Sequence, residues 1–132
     1  MKKLLTILLL IPLMSFGQSE IDDLVVTGDA KLELEDYSGA IADYTKAIEL
    51  NPEFEYAYSM RGASKYLLDS YSSAIEDLNK AIALYPEDSY SYYFRGLAKE
   101  SLGNSNGACS DWGKSAELGD TDAAILITEN CN

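Results

Sequence analysis

Small and apolar residues return three and four positions apart through most of this chain, the spacing that lays them along one face of a helix. Ala40, Ile41, Tyr44, Ala47, Ile48 and Leu50 form one such run. Asn51-Pro52 closes it, because proline lacks the N–H that a helix needs and pushes the preceding residue out of helical geometry. The run and its stop then recur. Residues 40–53 set above residues 74–87 agree at nine of fourteen positions without a gap, an offset of 34. The same offset carries Tyr58-x-x-Arg61-Gly62-x-x-Lys65 onto Tyr92-x-x-Arg95-Gly96-x-x-Lys99, and Ala74 and Asp77 onto Ala108 and Asp111.

Three units result, 21–54, 55–88 and 89–122, and each is predicted to be a helical hairpin. The breaks inside the units fall at Glu35-Asp36, Asp69-Ser70 and Gly103-Asn104. There Asp36, Ser70 and Asn104 can accept the free N–H groups that open the next helix. A single hairpin cannot bury its own apolar face, so the three are expected to stack. The third unit lacks the closing proline, and Ala123-Ala124-Ile125-Leu126-Ile127 follows. That stretch predicts a capping helix over 121–131, covering the stacking face the last unit would otherwise expose.

The first seventeen residues read differently. Met1-Lys2-Lys3 is a positive start, Leu4 to Met14 an apolar stretch, and Ser15-Phe16-Gly17 sets small residues around a possible cut. This is the pattern of a secretory signal, too short to span a bilayer as a helix. Residues 18–132 are then expected as an exported protein of the periplasm or the extracellular space, with no membrane insertion after cleavage. No cysteine follows the cut to carry lipid.

Charge and composition narrow the function. The chain has 10 Lys and Arg against 22 Asp and Glu, and no histidine. Such an acidic surface repels phosphate backbones and anionic headgroups, which argues against nucleic acid and lipid as partners. Without histidine the commonest acid–base and metal-binding kits are missing, and the acidic residues are spread along helix faces. No catalytic residue, metal ligand or cofactor site is assigned, and Asp120-Thr121-Asp122 lacks the glycine turn and distant glutamate of a calcium loop.

The repeats resemble the tetratricopeptide repeat family, with its 34-residue pattern of W-x₂-L-G-x₂-Y, A-x₃-F and P. Its glycine slot holds Gly28, Gly62 and Gly96, its alanine slot Ala40, Ala74 and Ala108, its second aromatic slot Tyr44, Leu78 and Trp112, and its proline slot Pro52, Pro86 and Asp120. Thr27, Arg61 and Arg95 stand where the family has leucine, and Lys31, Lys65 and Lys99 where it has tyrosine. These departures resemble a Tyr-x-x-Arg-Gly subtype common in bacterial repeats. The resemblance implies an all-α fold, a right-handed superhelical solenoid of three hairpins plus the C-terminal cap. It also implies a concave groove lined by first helices, which here would present Asp29, Tyr56, Tyr66, Tyr90, Tyr93 and Leu97. The family's clamp for chaperone C-terminal carboxylates needs Lys and Asn at several of these slots. Here they are Val, Asp, Ser, Ala and Tyr, which disfavours that ligand. An acidic, tyrosine-lined trough remains. Tyrosine suits a peptide groove, and equally suits packing between repeats.

Two further sets of residues carry structural expectations. Arg61 and Arg95 could present a guanidinium to a ligand carboxylate, but each repeat also carries an aspartate in its second helix, Asp43, Asp77 and Asp111, which predicts ion pairs holding adjacent helices instead; spacing leaves open whether Arg61 meets Asp43 or Asp77. Cys109 and Cys131 have numbers symmetric about 120, the turn between the last repeat helix and the cap. Residues facing across an antiparallel hairpin are so related, which predicts a disulfide. The sequence thus reads as a non-enzymatic interaction scaffold with a protein or peptide partner. A structural subunit that assembles with its own copies through the solenoid ends is the alternative.

Overall fold

A computed structural model describes residues 11–132. Residues 1–10, which hold most of the expected export signal, lie outside the described residues, and the expected cut after Gly17 falls within the first helix. Seven helices and no strand are found among the described residues: α1 (Ile11–Glu33), α2 (Tyr37–Leu50), α3 (Glu55–Leu67), α4 (Tyr71–Leu84), α5 (Ser89–Ser101), α6 (Ser105–Glu117) and α7 (Thr121–Asn130). They pair as the hairpins α1/α2, α3/α4 and α5/α6. Each second helix packs on the first helix of the next hairpin, α7 closes on α6, and α3 also touches α5, so first helices line one side of the stack.

Each hairpin closes by a large side chain entering the gap left by a glycine. A Cβ added at Gly28 would lie 2.8 Å from the Tyr44 ring, one at Gly62 2.7 Å from Leu78 Cγ, and one at Gly96 2.5 Å from Trp112 Nε1. Tyr44, Leu78 and Trp112 are fully buried there, and Ala40, Ala74 and Ala108 one turn earlier have no exposed surface. A small residue thus meets a large one across each crossing, which lets the paired helices pack closely.

The turns inside the hairpins use one backbone solution. Glu35 and Asp69 hold φ near 60° and Gly103 holds φ 82°, a left-handed turn that only glycine enters without steric cost. The caps are less uniform than the sequence suggests. Asp36 accepts the Gly39 N–H and Asn104 the Gly107 N–H, each at 3.0 Å. Ser70, in the corresponding place, makes no side-chain cap bond. The reason lies three residues on, where the outer repeats have glycine and the middle one has Ser73. A Cβ at Gly107 would sit 2.5 Å from the Asn104 side chain, so the capping group occupies the room that Ser73 fills with its own side chain.

Candidate functional site

A layer of charge runs along the hairpin seams. Asp77 on α4 takes a two-pronged pair from Arg61 on α3, through Nε and Nη2, each at 2.7 Å. Lys65 joins it at 2.8 Å. One unit later Arg95 and Lys99 hold Asp111 in the same way, at 2.9, 2.7 and 2.8 Å. The spare guanidinium nitrogen reaches back to the preceding repeat, Arg61 Nη1 to Thr45 at 3.2 Å and Arg95 Nη1 to Asn79 at 2.9 Å. The arginines therefore tie three helices each, and stack over Tyr58 and Tyr92 besides.

The first repeat has Thr27 in the arginine slot, so among the described residues Asp43 has Lys31 as its single ion-pair partner. Their contact is 2.8 Å, but Oδ2 has no aligned hydrogen bond. Burial pushes the Asp43 carboxyl up, yet Lys31, with smaller help from the Thr27 hydroxyl and the charge of Lys46, outweighs it and holds the group below its usual range. The lysines at 31, 65 and 99 were not assigned to this layer from sequence. Their constant spacing of twelve residues before each aspartate was the available signal.

On the first-helix side, Asp29 of α1 accepts the Tyr44 hydroxyl at 2.6 Å and the Tyr56 hydroxyl at 2.9 Å. One carboxylate thus joins α1, α2 and α3. Burial and then this bond to Asp29 push the Tyr56 phenol up to about 12, and the same causes push Tyr44 higher still.

Tyr66, Tyr90 and Tyr93 converge on a residue the sequence reading did not single out. The Phe94 ring lies 5.6 Å from Tyr66, 4.6 Å from Tyr90 and 5.4 Å from Tyr93, edge-on to Tyr66 and Tyr93. Its spacing of four from Tyr90, one helical turn, was the signal. Tyr56 is exposed while Tyr66, Tyr90, Tyr93 and Leu97 are half-buried. Tyr93 and Leu97 also pack against Ala108, Trp112 and Ala123 beneath the cap, and the Tyr93 carbonyl accepts the Trp112 indole N–H at 3.3 Å. Leu97 belongs more to that core than to an open surface, because α7 lies over it.

Beside this aromatic strip a cavity of about 290 Å³ opens between the second and third repeats. Glu55, Tyr56, Ser59 and Met60 of α3 line it from one side, and Tyr85, Asp88 and Tyr90 from the other. Asp88 caps α5 by accepting the Tyr90 N–H at 3.1 Å, and its second oxygen accepts the hydroxyls of Ser59 and Ser91 at 2.9 and 2.5 Å. Burial, and then the charges of Asp88 and Asp29, push the Tyr90 phenol up to about 12.

At the far end Cys109 of α6 and Cys131 after α7 are disulfide-bonded, with Cα atoms 5.8 Å apart. Asp120 starts α7 by accepting the N–H groups of Asp122 and Ala123 at 2.9 and 3.0 Å. Among the described residues no three of Cys, Asp and Glu gather in a metal-binding group, and no helix is long and apolar enough to cross a membrane.

Comparison with known proteins gives a consistent picture. Residues 28–69 match the family model TPR_11, described as TPR repeat. No curated protein aligns significantly with the chain. Among solved structures, the Arabidopsis OM64 TPR domain superposes with a TM-score of 0.83 at 24% identity, covering 86% of this chain and 95% of that one. The Sgt2 TPR domain from Aspergillus fumigatus gives 0.77 at 29% identity over 83% and 75% of the two chains. The first TPR of Spaghetti (RPAP3), solved bound to the HSP90 peptide SRMEEVD, gives 0.80 at 24% identity over 84% and 90%.

Proposed function

We propose that this chain, whose residues 28–69 carry the tetratricopeptide repeat and whose described helices form that family's fold, is an exported scaffold that binds a partner segment. The segment lies along the first-helix side, against Tyr56, Tyr66, Tyr90 and Tyr93. The observation that carries this reading is the aromatic strip centred on Phe94, with several rings only half covered by the fold that positions them. Rigid, partly exposed aromatics offer large contact area at small entropic cost. The first-helix face is chosen for its aromatics, and the peptide-bound RPAP3 domain of the same fold supports a peptide as its occupant. Its ligand SRMEEVD does not suit this chain, since Asp29, Glu55, Asp88 and Glu100 lie along or beside that face and like charges repel. The fitting segment is apolar with basic flanks.

Export rests on the signal pattern of residues 1–17 and is supported by both cysteines being spent in a disulfide, which persists in oxidising compartments. Cleavage there leaves residues 18–132 with 8 basic and 22 acidic residues, a net charge of −14. Purified from cells, the protein should begin at Gln18 by intact mass.

The groove is tested by affinity capture from envelope extract with wild type and with the Tyr66→Ala/Tyr93→Ala double variant, each checked for helical content. A specific partner should be retained by the wild type, lost from the variant and released by salt. An unchanged set of captured proteins on a folded variant rejects the groove.

Self-assembly through the solenoid ends is the second reading. It is favoured by the apolar side chains that α1 and α7 leave in solvent, Val26 at 67% exposure and Ile125 at 54%. Sedimentation at two concentrations separates the two: a mass that rises with concentration supports assembly.

A further inference from the structure

The cavity between the second and third repeats has walls and charge of unlike kinds. Its walls are the rings of Tyr56, Tyr85 and Tyr90 with the thioether of Met60. At its edge stand two carboxylates, and neither has a cationic partner among the described residues. Asp88 is met only by hydroxyls and a backbone N–H. Glu55, at the first position of α3, makes no side-chain hydrogen bond or ion pair there, although every other lining carboxylate oxygen is engaged.

The helix ends add charge of the opposite sign. α3 and α5 both begin at this cavity, and each N-terminus carries roughly half a positive charge. Two full carboxylates exceed that sum, and Asp29, hydrogen-bonded to Tyr56, adds to the negative side. The cavity therefore favours a cation. Its volume of about 290 Å³ sits at the small end of ligand pockets, the scale of one long side chain rather than of a cofactor.

We propose that this cavity receives the basic side chain of a partner segment, lysine or arginine, with its aliphatic stem against Tyr56, Tyr85 and Met60 and its head against Glu55 and Asp88. The inference rests on the groove reading and gives it an anchor: a segment lying on the Phe94 strip would drop one basic residue into the cavity at its edge. Aromatic faces attract a cation as well as its stem. A carboxylate with no ion pair in the free protein is available for one in the complex, so the pairing breaks no contact. The fully apolar side chain of the same length would leave Glu55 desolvated and unpaired.

The test uses the purified chain and two acetylated, amidated probe peptides, Gly-Leu-Lys-Leu-Gly and the same peptide with norleucine for lysine. Binding is followed by NMR through the Met60 methyl and the Tyr85 and Tyr90 rings. The lysine peptide should shift these signals and bind roughly tenfold more tightly than the norleucine peptide, in line with one desolvated charge pair. Glu55→Gln should remove most of that preference, and Glu129→Gln, an exposed carboxylate in α7 at the other end of the stack, should leave it unchanged. Equal affinity of the two peptides, shifts elsewhere than the cavity, no binding at millimolar peptide, or an unaltered preference in Glu55→Gln each overturn the proposal. The groove is judged separately by Tyr66→Ala/Tyr93→Ala. If that variant loses its partner while lysine and norleucine bind alike, the cavity assignment fails and the groove stands. If the lysine preference holds while the variant keeps its partner, the groove fails.

Discussion

Arg61 grips Asp77, sixteen residues ahead of it, and leaves Asp43, eighteen residues behind, to Lys31. The pairing closes the second hairpin on itself, and the free arm of the guanidinium then binds Thr45 in the hairpin before. A fork of fixed shape serves both tasks, where the point charge of a lysine would serve one.

Arg61→Ala should lower stability by about 2 kcal/mol, the scale for lost hydrogen bonds to a charged partner, with Lys65 keeping Asp77 from complete isolation. The reverse experiment belongs to the first repeat. Thr27→Arg places a guanidinium in the slot that Arg61 and Arg95 fill and offers Asp43 Oδ2 the aligned donor it lacks. A gain of about 1 kcal/mol is expected by urea denaturation. A destabilised Thr27→Arg protein would show that the slots are not equivalent.

Two glycines on neighbouring helices should respond oppositely to alanine. At Gly96 the added methyl would strike the buried Trp112 indole at 2.5 Å, an overpacking cost of about 1–3 kcal/mol. At Gly113, inside α6, the added methyl meets nothing within 4 Å. There alanine should raise stability by about 0.5–1 kcal/mol through helix propensity. Thermal melts of the two variants are the check, and shifts of the same sign would contradict the packing at one of them.

Stability should fall in strong alkali ahead of backbone chemistry. Tyr56 and Tyr90 are pushed up to about 12 by burial and by neighbouring carboxylates, whereas an unfolded tyrosine ionises near 10. A phenol whose folded pKa is raised contributes stability that is complete below about pH 10 and is lost as pH rises toward about 12. The melting midpoint should decline through that window, and phenolate absorbance should show groups ionising late. Asp29→Asn should bring the Tyr56 ionisation down. Ten tyrosines titrating together near pH 10 would refute the assignment.

Reducing the Cys109–Cys131 bond should cost about 3 kcal/mol for its sequence separation of 22 residues, by restoring freedom to the unfolded chain. The loss should be felt first in α7, whose buried anchor is the single residue Ala123. Hydrogen exchange with and without reductant reads this directly. Equal protection of α7 in both states would mean the cap holds by packing alone.

The helices, their hairpin pairing and the glycine and alanine crossings were legible in the sequence because each is a repeated local pattern. A 34-residue offset writes the same physical solution three times, and Gly62 under Leu78 or Gly96 under Trp112 follows from size alone. The choice between Asp77 and Asp43 for Arg61 was of another kind. Both aspartates occupy equivalent slots, and only the crossing of α3 over α4 brings one within 2.7 Å. The tyrosine trough was likewise half legible. Helical spacing places Tyr66, Tyr90 and Tyr93 on first helices, but their mutual approach around Phe94 depends on how two repeats are rotated against each other, as does the burial of Leu97 under α7. The cavity at Glu55, Tyr85 and Asp88 gathers residues from α3 and from the loop and helix start that follow α4. Periodicity encodes what each helix does with its own neighbours along the chain, while the distances between repeats exist only once the three hairpins have stacked.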